Sequence, residues 1–503
     1  MKRRDFIAMG VAHTAGLLAL QGCMGREIAA KAAEHNILLF GNDTDPGTLD
    51  PHLCTTFTEH RVMTALWEGL TSLDPADLSV VPGVAESWDI SEDGLTYTFH
   101  LRQDARWSNG DPLTANDFIY AWRRILTPML AAEYSYMLHV IRGAAEYNAG
   151  DVKDFSEVGA KALDDHTLEV KLAWPAPYLL SMQNHFTWFP VHPPTIERFD
   201  AMEHRDTKWT EPENIVTNGP YRMVAWVPDV EIRAVRNTHY WNSEAVSIDE
   251  VDFLPYGGKM MTLERSFRLG KLHLAVDLPI SKIQVYQRDY PELLNIHDFL
   301  GCYFYRFNTT RPPFTDARIR RAFAMAIDCE RIVKEVTRGG ERPARNLVPP
   351  NTAGYTCKST IPYDVEAARQ LLADAGYPSG KGLPPIDLLY NTSENHQLIA
   401  ESIQHMFQEA FGVRVVLRNQ DAKVYFDSMK QLDYGMCRSA WIGDYLDPIN
   451  FLECFETGGG NNRTGWSSQR FDSLLSQARL SPDTGERDGL YQQAEGLLMS
   501  EAP

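Results

Sequence analysis

The chain has 503 residues, of which 44% are hydrophobic and 23% are charged. This composition is ordinary for a globular protein, and the length exceeds what a single core supports, so two or three domains are expected. The net charge is −19, and −21 without residues 1–22, whose own net charge is +2. Such a charge repels a phosphate backbone, so no nucleic acid is expected as a partner. The acidity is interpreted as an aid to solubility.

The first 22 residues predict an export signal. Lys-Arg-Arg at 2–4 is a basic start, residues 6–20 are a short apolar core, and Leu-Gln-Gly-Cys follows at 20–23. The apolar run is shorter than the ~20 residues that a membrane-spanning helix needs. Leu-x-Gly-Cys resembles the bacterial lipobox, which implies that Cys23 receives a lipid. Arg-Arg-Asp-Phe-Ile at 3–7 resembles the twin-arginine signal, and a Sec signal that happens to hold two arginines stays open as the alternative.

Residues 23–34 are polar and rich in alanine, and they are predicted to form a tether. Six further cysteines would enter an oxidising compartment, where disulfides can form. Their connectivity cannot be derived from the sequence, because six cysteines allow fifteen pairings. They are Cys54, Cys302, Cys329, Cys357, Cys437 and Cys454. No pair has the C-x-x-C spacing of a metal or redox site, and neither a metal nor another cofactor is expected.

The first half of the chain predicts mostly strands. Residues 35–40 are an apolar run that ends in Gly-Asn-Asp, as buried strands do. Residues 95–101 alternate between apolar and polar side chains, which predicts a strand with one apolar face. Thr114 is predicted to cap a helix together with Asp117, three positions later. Residues 269–276 add an apolar strand.

The second half alternates strands and helices, which is typical of an α/β lobe. Thr315 is predicted as the N-cap of the first helix, and Asp364 as the cap of another helix. The strands are expected at 302–308, 386–390, 413–417 and 434–440, and the helices at 317–327, 393–411 and 424–431.

The segment 438–448 combines three side chains of different chemistry. Arg438, Trp441 and Asp444 stand three residues apart from one to the next. Residues three apart on a strand face opposite sides, so we predict a strand end that breaks into a loop, where all three can meet a ligand. They offer a cation, an apolar plate and an anion, which a zwitterion with an apolar body, such as a peptide, requires. The alternative is a surface salt bridge beside a core tryptophan.

This segment resembles the ligand-clamping segment of the periplasmic oligopeptide-binding proteins that serve ABC importers. Similar motifs follow one another through almost the whole chain in the same order. They include Leu-Asp-Pro-His at 49–52, Pro-Gly-Val-Ala-Glu-Ser-Trp at 82–88, Trp-Ser-Asn-Gly-Asp-Pro at 107–112, Asn-Ile-Val-Thr-Asn-Gly-Pro-Tyr at 214–221 and Leu-Leu-Tyr-Asn-Thr-Ser at 388–393. One such motif alone is weak, but their number and order make the resemblance specific.

The resemblance implies an α/β, two-lobed periplasmic-binding-protein fold (Venus-flytrap) with an extra domain, three domains in all. Domain I would comprise residues 35–67 and 192–298, Domain II residues 68–191, and Domain III residues 299–503. Relatives continue for a few dozen residues that return to Domain I, so a C-terminal part of Domain I is expected to be missing.

The resemblance also implies a receptor and not an enzyme. It would capture oligopeptides in the periplasm as a monomer, anchored by the lipid at Cys23, and deliver them to the permease of an ABC transporter in the inner membrane. Receptors for dipeptides, murein peptides, antimicrobial peptides, nickel or haem share the fold and stay open as alternatives. The competing class is a secreted hydrolase, but the chain has no Gly-x-Ser-x-Gly, His-Glu-x-x-His or Walker A motif.

The resemblance implies that six residues bind the ligand: Asp444, Arg438, Trp441, Gly443, His396 and Tyr134. Asp444 would pair with the α-ammonium of a peptide, because that charge-assisted bond offsets the cost of burying a carboxylate; the alternative is a cap of the local turn. Arg438 would meet the peptide carboxylate or hold local structure. His396 matches a position that can receive the C-terminus, or else it faces solvent. Tyr134 and Trp441 would add a hydrogen bond and an apolar wall.

Three departures from the relatives bear on the ligand. Thr55 replaces an acidic ligand contact and Ala422 replaces a tryptophan that packs on the ligand, which suggests a changed peptide preference. Gly301 and Ile442 fill the positions where relatives often carry a disulfide near the ligand, so that bridge is expected to be absent.

Overall fold

The structure, a computed structural model, describes residues 28–503. The predicted signal peptide, the predicted lipobox with Cys23 and the first part of the predicted tether lie outside these residues. The chain divides into two compact units, Met1–Pro279 and Ile280–Pro503. Within residues 28–503, none of the helices combines the length and the hydrophobicity that a bilayer-spanning segment requires.

The described part of the first unit contains a five-stranded sheet, a four-stranded sheet and a two-stranded ribbon. The strand orders are β11-β1-β10-β9-β8, β4-β5-β7-β6 and β2-β3. The strands are β1 (Ile37–Gly41), β2 (Thr71–Leu73), β3 (Val80–Pro82), β4 (Ala85–Ile90), β5 (Thr96–Leu101), β6 (Ala160–Asp164), β7 (Thr167–Lys171), β8 (Tyr221–Val227), β9 (Glu231–Arg236), β10 (Glu250–Leu254) and β11 (Leu274–Ala275). Residues 28–34, which belong to the predicted tether, are helical. The further helices are α1 (Phe57–Leu66), α2 (Ala115–Leu126), α3 (Ala144–Ala149), α4 (Leu179–Met182), α5 (Pro193–Arg198) and α6 (Met260–Arg268).

Local sequence signals account for several of these elements. Strand β5 buries alternate residues, as its period-two pattern predicts. Thr114 caps α2 in a capping box, and the carboxylate of Asp117 accepts the backbone N–H of Thr114 at 2.8 Å. The strand predicted over 269–276 is wrong in extent, because the chain first closes α6 and forms only the two residues of β11.

The second unit is built on one four-stranded sheet of order β12-β15-β13-β14. The strands are β12 (Gly301–Phe307), β13 (Ile386–Asn391), β14 (Val415–Gln420) and β15 (Met436–Ile442). The helices are α7 (Ile280–Asp289), α8 (Ala317–Met325), α9 (Cys329–Arg331), α10 (Val365–Asp374), α11 (Glu394–Phe411), α12 (Ala422–Lys430), α13 (Ile449–Leu452), α14 (Gln469–Leu480) and α15 (Thr484–Glu501), and a π-helical segment, Ile332–Thr337, continues α9. This alternation confirms the predicted α/β class.

The sheet of the second unit is covered on both faces, because adjacent strand residues enter different cores. Met436 packs with the buried residues of α8, α10 and α11, whereas its neighbour Cys437 packs with those of α12. Strand β15 pairs antiparallel with β12 and parallel with β13. It is therefore an interior strand, and its two faces are distinct environments.

Two predictions in this unit need correction and one is confirmed. Asp316, not Thr315, caps α8, because its carboxylate reaches the N–H of Arg318 at 2.8 Å. The strand predicted over 434–440 lies two residues further on, at 436–442. Asp364 caps α10 as predicted and accepts the N–H of Ala367 at 2.9 Å.

The six cysteines within residues 28–503 are all free thiols. Gly301 and Ile442 lie directly opposite each other at the end of the β12–β15 pair. Neither position carries a sulfur atom, so no disulfide closes this end of the sheet.

Candidate ligand-binding site

Strand β15 carries both Arg438 and Trp441, because it continues to Ile442. Side chains alternate along a strand, so Arg438 lies on the face of Met436 and Trp441 on the face of Cys437. The expected strand end between these residues is therefore wrong, and only Gly443 and Asp444 belong to the following loop. The cation and the anion of the motif form two separate groups.

The acidic group consists of Trp441, Asp444, Asn450 and Glu453. The indole Nε1–H of Trp441 donates to Oδ1 of Asn450 at 2.9 Å, and the backbone N–H of Asp444 donates to the same oxygen at 3.0 Å. Asn450 lies on α13 and its side chain is fully buried. One amide oxygen thus connects the strand, the loop and the helix.

Burial, and to a smaller extent the nearby carboxylate of Glu453, raise the pKa of the Asp444 carboxyl to about 7, against the effect of a hydrogen bond from Asn450, which lowers it. Burial also raises the pKa of Glu453, although Arg479 lies 3.5 Å from its Oε2 and the Tyr445 hydroxyl donates to its Oε1 at 3.1 Å. Two carboxyls in one buried region favour an added positive charge. The group is therefore suited to receive a cation, such as an ammonium.

A side chain at Gly443 would require the side chain of Leu300 to move. A Cβ at this position would lie 2.6 Å from Cδ2 of Leu300 and 3.3 Å from Cε2 of Phe451. The N–H of Gly443 also donates to the carbonyl of Leu300 at 2.8 Å. The glycine thus lets the loop that carries Asp444 pack directly against the residue that precedes β12.

We predict that Gly443→Ala destabilises the protein by about 1–3 kcal/mol, because the added methyl group overpacks the contact with Leu300. The measurement is urea-induced unfolding followed by circular dichroism. Gly460→Ala is the matched control, since a Cβ there meets no atom within 4 Å. Equal stability of the two variants would contradict the prediction.

The basic group consists of Arg438, Asn391, Tyr303 and His396. Nη1 of Arg438 donates to Oδ1 of Asn391 at 3.2 Å, and the guanidinium carbon lies 5.0 Å from the centroid of the Tyr303 ring. Nε of Arg438 is buried and has no hydrogen-bond partner within residues 28–503. In that part of the chain no carboxylate forms an ion pair with Arg438. A half-buried guanidinium with a buried N–H that has no partner in this part of the chain is suited to bind an anion.

His396 lies beside this arginine, in the first turn of α11. Its ring centroid is 5.7 Å from that of Tyr303, and its Nδ1 is 3.4 Å from the Tyr303 hydroxyl. Burial lowers the pKa of His396 to about 3, and the positive charge of Arg438 contributes to the shift. The imidazole is thus neutral at physiological pH, so it can donate one hydrogen bond to a ligand without adding charge.

Tyr134 belongs to the first unit, unlike the five other predicted residues. It is half-buried, and its ring stacks on that of His185 with 5.7 Å between centroids. The ring of Tyr136 lies 5.6 Å away. Its predicted contact with a ligand stays a prediction.

Sequence reasoning missed four residues of the two groups: Asn450, Glu453, Tyr303 and Asn391. A signal existed for the first two, since Asn450 and Glu453 are the polar residues in the run Ile-Asn-Phe-Leu-Glu-Cys-Phe at 449–455. Tyr303 and Asn391 carry no comparable signal, because only the sheet brings them next to Arg438. Within residues 28–503, no group of three or more His, Cys, Asp or Glu residues is arranged to hold a metal ion.

Known proteins share this arrangement of elements. The chain is 36% identical over 502 residues to the dipeptide-binding protein DppE of Bacillus subtilis, covering 96% of this chain and 90% of that protein. It is 35% identical over 509 residues to the periplasmic oligopeptide-binding protein OppA of Escherichia coli, covering 99% and 91%. The solved structure of the murein tripeptide binding protein MppA of Escherichia coli matches with a TM-score of 0.84 and 32% identity, over 93% of this chain and 91% of that one.

A further solved structure, OppA of Burkholderia pseudomallei, matches with a TM-score of 0.82 and 30% identity, over 93% of this chain and 92% of that one. These likenesses confirm the predicted periplasmic-binding-protein fold. Residues 79–463 match the family model described as bacterial extracellular solute-binding proteins, family 5 Middle. The chain therefore belongs to the family 5 bacterial extracellular solute-binding proteins.

Proposed function

We propose that this protein is the receptor of an ABC importer that captures oligopeptides in the periplasm and delivers them to an inner-membrane permease. Membership of a solute-binding family supports this role, as do the relatives named as oligopeptide-binding and dipeptide-binding proteins. The observation that carries the proposal is the chemistry of the two groups on β15. One group brings together two carboxyls whose pKa values are raised, and the other holds a half-buried guanidinium, so the two ends of a peptide zwitterion match them in charge.

The acidic group would receive the N-terminus. An α-ammonium placed at Asp444 would replace the proton that burial and Glu453 otherwise hold on that carboxyl. A charge-assisted hydrogen bond of this kind is about twice as strong as a neutral one. The indole of Trp441, held by Asn450, would form an apolar wall for the first residues of the peptide.

The basic group would receive the C-terminus. The guanidinium of Arg438 has a buried Nε–H available for a carboxylate oxygen, and the neutral imidazole of His396 can donate a second hydrogen bond. Both charged contacts recognise the termini, which every linear peptide has. Side chains between them would then affect affinity little, in the manner of extended peptides bound by their backbone.

Mass spectrometry of ligand that remains bound through purification tests the proposal. The expected result is a mixture of short peptides with free N-termini, released on denaturation and absent from the same protein after unfolding and refolding. Bound nickel or haem without peptide would overturn it. Peptides that are cleaved during incubation with the protein would instead favour the competing hydrolase class.

We also propose that the mature protein is a monomer held at a membrane by a lipid on Cys23. The Leu-Gln-Gly-Cys sequence at 20–23 supports the anchor. The expected result is that wild-type protein expressed in a bacterium is labelled by fatty acid and enters the detergent phase, whereas Cys23→Ser does neither. Cys329→Ser is the control, because Cys329 lies far along the chain and its loss leaves the lipobox intact. A Cys23→Ser protein that still enters the detergent phase would contradict the prediction.

A further inference from the structure

Asn450 occupies a central place in the acidic group, although neither its position nor its residue type belongs to the motif of Arg438, Trp441 and Asp444. Its side chain is 0% exposed. Its Oδ1 accepts two hydrogen bonds, from the indole of Trp441 at 2.9 Å and from the backbone N–H of Asp444 at 3.0 Å. An apolar residue of similar size would leave both donors unsatisfied, at a cost of about 1–3 kcal/mol for each buried group.

The helix that carries Asn450 is itself held firmly. Asp447 accepts the N–H of Ile449, the first residue of α13, at 3.0 Å. The same carboxylate receives Nη2 of Arg487 at 2.5 Å and the hydroxyl of Tyr491 at 3.2 Å, both from α15. All of these side chains are buried. The position of Asn450 is thus set by the body of the second unit and not by the loop it contacts.

We infer that Asn450 is a positioning residue, which fixes the loop of Asp444 and the indole of Trp441 in the geometry that recognises a free ammonium. This inference rests on the proposed peptide-binding function, which it deepens. A residue with this role affects the discrimination between a free and a blocked N-terminus. A residue that only stabilises the fold would affect the binding of both peptides equally.

The experiment compares a short peptide with its N-acetylated form by calorimetry, in wild type and in Asn450→Leu. We expect the variant to bind the free peptide about 10- to 100-fold more weakly and the acetylated peptide with a much smaller loss, so that the ratio of the two affinities collapses. Asn450→Asp, which keeps an acceptor oxygen for both donors, is expected to retain most of the ratio. Asn308→Leu is the matched control, because Asn308 is also 0% exposed in this unit.

A second measurement does not depend on the peptide. In ligand-free protein labelled with 15N-tryptophan, Asn450→Leu is expected to shift the indole resonance of Trp441, and Asn450→Asp is expected to shift it less. An unmoved resonance, or an equal loss of affinity for both peptides in Asn450→Leu, would overturn the inference. If the wild type binds the free and the acetylated peptide equally well, the proposed function is overturned. The indole resonance of Trp441 then still tests whether Asn450 positions that side chain. If Asn450→Leu does not fold, Asn450→Ser takes its place in both measurements.

Discussion

Asp444→Asn is expected to reduce the affinity for short peptides with a free N-terminus by about 30-fold or more. Truncation of one member of a buried charge pair costs about 2–5 kcal/mol, and about 1.4 kcal/mol corresponds to a factor of ten. The amide has nearly the same size as the carboxyl, so the loop and its hydrogen bond to Asn450 remain. Isothermal titration calorimetry at pH 7.5 measures the change.

N-acetylation of the peptide provides the second half of a double-mutant cycle. We expect the wild type to bind the acetylated peptide about as weakly as Asp444→Asn binds the free peptide, with little further loss when both changes are combined. Asp427→Asn is the control, since Asp427 is an exposed aspartate on α12 of the same unit. Equal affinity of the wild type for free and acetylated peptides would contradict the assigned role of Asp444.

The affinity for peptide is expected to rise with pH up to about 7 and to fall again above about 8. The pKa of Asp444 is about 7 in the unliganded protein, so below that pH the carboxyl must lose its proton before it can pair with an ammonium. Affinity should therefore decrease about tenfold per pH unit on the acidic side. On the basic side the peptide loses charge, because an α-amino group titrates near about 8.

Calorimetry in buffers of different ionisation enthalpy detects the proton that the protein releases when peptide binds at pH 6. Glu453→Gln is expected to lower the midpoint of the profile, because the Glu453 carboxylate helps to raise the pKa of Asp444. An affinity that stays flat between pH 5 and pH 7, without proton release, would contradict this mechanism.

The raised pKa of Asp444 also affects the unliganded protein, whose stability is expected to fall as pH rises, whereas the affinity for peptide increases. The pKa of the Asp444 carboxyl is raised on folding, so the folded state holds a proton that the unfolded state loses as pH rises above about 4. This contribution to stability is therefore present at low pH and lost as pH increases to about 7. Asp444→Asn should raise the melting temperature at pH 8 by a few degrees and leave it nearly unchanged at pH 4, as measured by calorimetry.

Much of the fold of the second unit could be predicted from local patterns. The sequence predicts helix α11 over 393–411, and the helix spans Glu394–Phe411 with Ser393 as its N-cap. The sequence also predicts Asp364 as a cap, and Asp364 caps α10. The N-cap of α8 lies at Asp316, one residue after the predicted Thr315, because both are residue types that cap helices. Such features depend on side chains within one turn of the backbone, so the sequence contains the information.

The two groups on β15 depend on contacts between distant segments. Tyr303 and His396 are 93 positions apart in the chain, and Arg438 and Asn391 are 47 positions apart. No periodicity links them, because the pairing of β12 and β13 with β15 sets which side chains become neighbours. The prediction named Arg438 and His396 through the resemblance, but it could not include Tyr303 or Asn391.

The sequence by itself determined the α/β class, the family, most helices and the identity of the charged residues, because caps, periodicity and motifs are local properties of the chain. Only the tertiary structure decided that Arg438 and Trp441 lie on opposite faces of one strand, that burial lowers the pKa of His396, and that Asn450 holds the loop of Asp444. Burial and the charges of distant neighbours set the pKa of a side chain and its hydrogen-bond partners, and both arise only when the sheet and its helices pack together.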